Sequence, residues 1–174
     1  NFMIPHSFNP RAPHDTDCPP YFYNGGFEPR WPLYRVFADY TSRLSVMLTG
    51  GRHVSPVALL WAGQAVHVGK HILPDQMSES LQDALYDCDW LPGDVFEDAV
   101  QVKGQELALR NESYRVLVMP AAEVIRFATL AKAKTFFDAG GVIVSYGFLP
   151  TQSADLGKTA GDITALREAI WGQA

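Results

Sequence analysis

Positive charge, cysteine and long apolar runs are all scarce in this chain, and each scarcity removes a class of function. Of 174 residues, 14 are Lys or Arg against 19 Asp or Glu, a formal net charge of −5. No basic run interrupts the sequence, so a nucleic-acid partner has no electrostatic footprint. No apolar stretch approaches the ~18 residues that a membrane helix needs, so no membrane partner is expected. No basic segment followed by an apolar one opens the chain, so no signal peptide is expected. Asn1 rather than Met stands first, the expected mark of processing or truncation, and a secreted parent stays open. There are two cysteines, Cys18 and Cys88. Two thiols so far apart make no metal motif. They read as free, partly buried thiols, with a disulfide as the alternative.

What is present is the composition of a globular domain. Apolar residues make up 47% and charged ones 19%, too apolar for disorder. A chain of this length can bury roughly 70% of the surface that its unfolded form exposes, so it needs no covalent staples. Nothing repeats at a fixed period, and no segment is low in complexity.

Two regions differ in pattern. Residues 1–31 read as a short strand, "FMI", and then a long loop. Pro5, Pro10, Pro13, Pro19, Pro20 and Pro29 exclude regular structure over most of it. A loop of about 20 residues is unusual in a compact domain and often functional. A helix is expected over 32–49, with Leu33, Val36, Phe37, Tyr40, Leu44, Met47 and Leu48 on one face. Asp39 and Arg43 are spaced to pair on the other side, and Gly50-Gly51 ends the helix.

From residue 55 strands and helices alternate. "PVALLWA" (56–62), "YRVLVMP" (114–120) and "VIVSYG" (142–147) are continuous apolar runs, as in strands buried on both faces. "CDWL" is a short further strand, and 92–99 a turn into a short helix. Residues 100–109 alternate around Lys103-Gly104 as a hairpin. Helices are expected over 75–88, capped by Asp75 or Ser78 and turning Leu85 and Cys88 inward, over 127–139, and over 162–171, capped by Asp162. This alternation predicts an α/β domain with a mostly parallel sheet and helices on both faces, preceded by the long loop and one helix.

Parallel sheets bind ligands beyond the carboxyl ends of their strands. After "ALLWA" comes "GQAVHVGK", which has neither dinucleotide nor P-loop glycine spacing. After "YRVLVMP" come Ala121 and Ala122, where a nucleophile elbow would need Ser or Cys. Cys88 lies on an apolar helix stripe, and His53, His67 and His71 are scattered. Asp89 and Glu123 read as solvated loop acids. No catalytic residue is therefore assigned in 53–174, and no cofactor or metal is expected. An active amidotransferase relative would instead require a reactive Cys88.

The opening loop is richer. His6, Ser7 and Asn9 follow the first strand, at the edge where barrel enzymes place their active-site groups. Asp17 follows on the loop, and Trp31 offers a flat face for stacking on a sugar. The competing reading is that His6 caps the loop and the aromatics pack against it. His6, His14, Asp15 and Asp17 match no metal-ligand spacing.

Several strings resemble a known family. "DCPP" (17–20), "EPRWP" (28–32), "DYTSRLS" (39–45) and "GRHV" (51–54) resemble the region of large bacterial glycoside hydrolases where the catalytic barrel ends and a second domain begins. "YRVLVMP" (114–120) and "AGGVIVSYGFLP" (139–150) resemble the glutamine-amidotransferase-like domain that follows it. The arrangement is similar to family 42 β-galactosidases, and the loop and helix more so to α-L-rhamnosidases of the family 106 type. The resemblance implies residues 1–52 as the last strand, loop and helix of a (β/α) barrel, and 53–174 as an amidotransferase-like domain of flavodoxin-like layering. It implies a carbohydrate substrate for the intact parent, contacted here by His6, Asn9, Asp17 and Trp31. In such enzymes the two working carboxylates lie on earlier barrel strands, so this chain is expected to be non-catalytic. Its expected partner is the rest of the barrel or another copy of itself. A stand-alone α/β binding module is the alternative.

Overall fold

The computed structural model describes residues 31–63 and 67–173, together with Met3. Two units divide the chain, Asn1–Arg52 and His53–Ala174. In the first, a 3-10 turn at Trp31–Leu33 leads into α1, Tyr34–Leu48. Pro32 suits such an entry because its fixed φ is already helical. Arg35 pairs with Asp39 at 3.5 Å, so Asp39 finds its partner one turn before the expected Arg43. Gly50, at φ +76°, takes the left-handed turn that stops the helix. The apolar face is not inward: α1 buries none of its residues, and Leu33, Val36 and Met47 are exposed.

The second unit runs β1 (Val57–Trp61), α2 (Pro74–Asp83), β2 (Cys88–Pro92) and α3 (Gly93–Asp98). Then come β3 (Gln101–Lys103), β4 (Glu106–Leu109), β5 (Glu112–Tyr114) and β6 (Val116–Pro120). It ends with β7 (Val124–Ile125), α4 (Phe127–Asp138), β8 (Val142–Tyr146), β9 (Gln152–Ser153) and α5 (Ala160–Trp171). Four strands form a parallel sheet in the order β2-β1-β6-β8. The unit is therefore α/β, as the alternating pattern predicts.

The sheet explains the continuous apolar runs. On β1, Ala58 and Leu60 enter a large core with Phe96 of α3, Leu130 and Phe136 of α4, and Ile163 of α5. Val57 and Leu59 point the other way, onto Met77 of α2. Both sets are buried, and each such leucine contributes about 1.5–3 kcal/mol. Residues 142–146 depart from this pattern. β8 is an edge strand, and α2 packs on β1 and β2. Ile143 joins the large core while Val142, Val144 and Tyr146 are exposed. An apolar run alone does not distinguish a central strand from an edge.

Local chemistry moved several boundaries. β3 and β4 form the expected hairpin, and β5 extends it to three strands. β7 and β9 make a further short parallel pair. Helix α5 starts earlier than expected, with Thr159 as its N-cap. Asp162 is the reciprocal partner of a capping box, its carboxylate accepting from the Thr159 backbone N–H at 2.7 Å.

Helix α2 begins at Pro74, so neither Asp75 nor Ser78 is its N-cap, and it ends at Asp83. Tyr86 N–H bonds the Leu81 carbonyl, and Leu85 N–H bonds that of Gln82. This is a Schellman turn, and Leu85 occupies its left-handed position at φ +62°. Leu85 is consequently exposed rather than inward, and Cys88 is freed to open β2. A residue with a side chain there costs about 1–2 kcal/mol against glycine. Leu85→Gly is expected to stabilise the chain by roughly 0.5–1 kcal/mol in urea unfolding, after the entropy that glycine adds to the unfolded chain. A lower midpoint would refute the assignment.

Candidate functional site

At the carboxyl edge of the sheet the described residues offer little chemistry. Ala121 and Ala122, directly after β6, are buried and carry no nucleophile. A cavity of about 20 Å³ lies beside them, lined mainly by Leu60, Trp61, His71, Ile72, Pro120 and Ala121. It has room for about one water and none for a sugar. Glu123 is occupied by the backbone, accepting from Lys70 N–H at 2.9 Å. Cys88 lies at the other end of the sheet, as the first residue of β2, and is a free thiol. Burial first, then the charges of Asp87 and Asp89, hold it above its ordinary pKa, so its reactive thiolate is scarce at neutral pH.

A polar convergence of metal-ligating residue types lies at the opposite, amino edge. His53 precedes β1, Asp87 and Asp89 flank the start of β2, and Glu112 and Tyr114 lie on β5, just before β6. Parallel register sets Val57 beside both Cys88 and Val116, which draws these three segments together. His53 Nδ1 is 3.2 Å from Glu112 Oε2 and 3.7 Å from Asp89 Oδ2. Its Nε2 faces Asp87 Oδ2 at 3.9 Å. The Tyr114 hydroxyl, on a buried residue, donates to Asp89 Oδ2 at 3.0 Å. Desolvation and that bond push the Tyr114 pKa up, so it remains a donor.

The hydrogen bond to Glu112, then the charge of Asp89, raise the His53 pKa above 6.5, against the opposing effect of desolvation. A raised folded value means that the stabilisation is fully present below the unfolded pKa and lost as pH rises through the folded one. The protein is therefore expected to lose stability as pH rises from the unfolded histidine value of 6.5 through the raised folded one. Glu112→Gln should flatten that loss and bring the His53 titration, read by NMR, down towards its ordinary value. An unchanged titration would count against the Glu112 contact.

Of the residues expected to meet sugar, His6, Asn9 and Asp17 lie outside the described residues. Trp31 is half-buried and stacks on Tyr34, with ring centroids 5.3 Å apart and planes 3° from parallel. The alternative metal set of His6, His14, Asp15 and Asp17 also lies outside. The amino-edge cluster escaped sequence reasoning because its members follow no ligand spacing. His53 and Glu112 are 59 residues apart and meet only through strand pairing.

Among the described residues, fold and site together define a parallel α/β unit with Ala121 and Ala122 directly after β6 at its carboxyl edge and a carboxylate-rich amino edge. The chain belongs to the α-L-rhamnosidase family, glycoside hydrolase family 106, whose pattern matches residues 30–174. A protein of Formosa agariphila named "Putative beta-glucuronidase" is 24% identical over 146 residues, 82% of this chain and 12% of that protein. The rhamnosidase of Novosphingobium sp. PP1Y is 20% identical and superposes with a TM-score of 0.55, over 88% of this chain and 14% of that one. That likeness shows the fold. A β-galactosidase of Bifidobacterium adolescentis reaches a TM-score of 0.42 at 17% identity, over 66% of this chain and 54% of that one, too loose to argue from. The chain thus spans about an eighth of the curated relative's length. No helix among the described residues is long and apolar enough to cross a membrane.

Proposed function

We propose that this chain is a non-catalytic segment of a sugar-cleaving enzyme that acts on α-L-rhamnosides. Residues 1–52 contribute the last strand, loop and helix of a catalytic barrel. There His6, Asn9, Asp17 and Trp31 line one wall of the sugar pocket, with His6 touching the substrate. Residues 53–174 form an amidotransferase-like α/β domain that braces the barrel or joins copies of the enzyme. The observation that carries this reading is the family match over residues 30–174. It is supported by Ala121 and Ala122 directly after β6, where a nucleophile elbow would need Ser or Cys, and by the exposed Leu33 just before α1 and Val36 and Met47 on it. Apolar surface of that kind suits a partner.

The test is turnover of aryl glycosides, with the α-L-rhamnoside and β-galactoside in the panel. This chain alone is expected to release no aryl alcohol, and robust release would overturn its non-catalytic role. A longer protein carrying this chain is expected to hydrolyse the α-L-rhamnoside. If that protein folds and cleaves no glycoside in the panel, the glycosidase reading fails.

A further inference from the structure

We infer that His53, Asp89 and Glu112 form a binding site for a first-row divalent cation of the zinc class at the amino edge of the sheet. The three ligand atoms, one imidazole nitrogen and two carboxylate oxygens, lie within 4.8 Å of one another. Two of their separations, 3.2 and 3.7 Å, bracket the edge of about 3.3 Å in a tetrahedron of 2.0–2.1 Å bonds. The edge between the two carboxylate oxygens is no longer than 4.8 Å, and half-exposed side chains allow it to adjust.

The surroundings are those of a ligand set. When His53 Nδ1 binds the cation, the proton resides on Nε2, which faces Asp87 Oδ2 at 3.9 Å. At that distance Asp87 acts through its charge rather than a hydrogen bond, and closing on the outer nitrogen would let it orient the ligating histidine and raise its basicity. Tyr114 holds Asp89 from behind through its hydroxyl, leaving the other lone pair of Oδ2 for the ion. Three carboxylates around one imidazole also leave an excess of negative charge that a dication neutralises. The single imidazole selects the metal. Mg²⁺ and Ca²⁺ prefer all-oxygen shells, whereas nitrogen with two carboxylates suits zinc and its neighbours. Three protein ligands leave a fourth position for water.

The site joins the segment before β1 to the start of β2 and to β5, and nothing at the carboxyl edge takes part. It is therefore a clamp on the domain, independent of whether the parent enzyme cleaves rhamnosides.

The experiment is calorimetric titration of Zn²⁺ into the chelator-stripped 174-residue chain, beside His53→Ala, Glu112→Gln and Tyr114→Phe. The unmodified chain is expected to bind one Zn²⁺ at its tightest site, and its melting temperature to rise with Zn²⁺ concentration. His53→Ala and Glu112→Gln should each weaken that site more than about tenfold while circular dichroism stays unchanged, since both side chains lie at the surface. Tyr114→Phe should weaken it about tenfold through Asp89. The other four histidines remain in every variant, so binding elsewhere persists in His53→Ala. No Zn²⁺ binding up to millimolar concentration overturns the site. So does equal binding by the parent chain and the His53→Ala and Glu112→Gln variants, or Mg²⁺ binding as tight as Zn²⁺ binding.

Discussion

Gly141→Ala is expected to destabilise the α/β unit by about 3 kcal/mol or more, near the upper end of overpacking effects. An added Cβ at Gly141 would lie 2.2, 2.4 and 2.4 Å from three ring carbons of Phe136. That overlap cannot be relieved cheaply. Phe136 is fully buried in the core between α4 and the sheet. Gly141 is itself fixed, because its N–H bonds the Phe136 carbonyl at 2.9 Å in the turn that closes α4. Either the ring leaves its place or the start of β8 moves. Urea unfolding provides the measurement, with Gly161→Ala as the control. There the new methyl would meet only Thr159 Oγ1, at an ordinary 3.5 Å, and the change should stay within about 0.5 kcal/mol. Shrinking the ring in Phe136→Leu should make the two substitutions sub-additive. A Gly141→Ala variant as stable as the parent would mean that the ring does not lie where the structure puts it.

Arg126→Leu is expected to cost about 3 kcal/mol, because it strands a buried carboxylate. Glu97, at the end of α3, has a side chain only 7% exposed. Arg126 Nη1 reaches one of its oxygens at 2.9 Å, and the Thr129 hydroxyl donates to the other. The Nε of Arg126 also faces Asp155 at 3.3 Å. Asp155 in turn accepts from the Phe127 N–H at 2.8 Å and so caps the start of α4, which its own N-cap residue does not do. One guanidinium therefore ties α3, α4 and the loop after β9. Lys132 adds a second cation near Glu97, donating to its backbone carbonyl at 2.6 Å, which keeps the expected loss at the lower end of the range for a broken buried pair. Adding Glu97→Gln should recover part of the loss, and denaturant midpoints of the four species give the coupling. Additive effects would show that the pair contributes nothing beyond its separate members.

Both predictions rest on contacts that a linear reading could not supply, and the same divide runs through the candidate sites. Ala121 and Ala122 were legible as strand-end residues because one residue after a predicted strand is a fixed place in a parallel sheet. His53 was not legible as a site residue. Its neighbours come from β2 and β5, and only the pairing of β1 with β2 and β6 decides which loops meet. Leu85 misled for a different reason. Its spacing suits the buried stripe of α2, but the chain must reverse before β2, and the residue at that turn takes a left-handed conformation and faces water.

The sequence by itself determined the class of fold. Short apolar runs such as "VALLW" and "VLVMP", separated by helical patterns and glycine stops, can bury both faces only in a parallel sheet layered with helices. It also determined the absence of nucleophile and phosphate-loop motifs at the strand ends, because those depend on local spacing. The tertiary structure alone decided that β8 is an edge, that Phe136 fills the space above Gly141, that Arg126 holds a buried Glu97, and that His53 faces three carboxylates. Each depends on strand order and packing between distant segments, and periodicity along the chain carries no information about either.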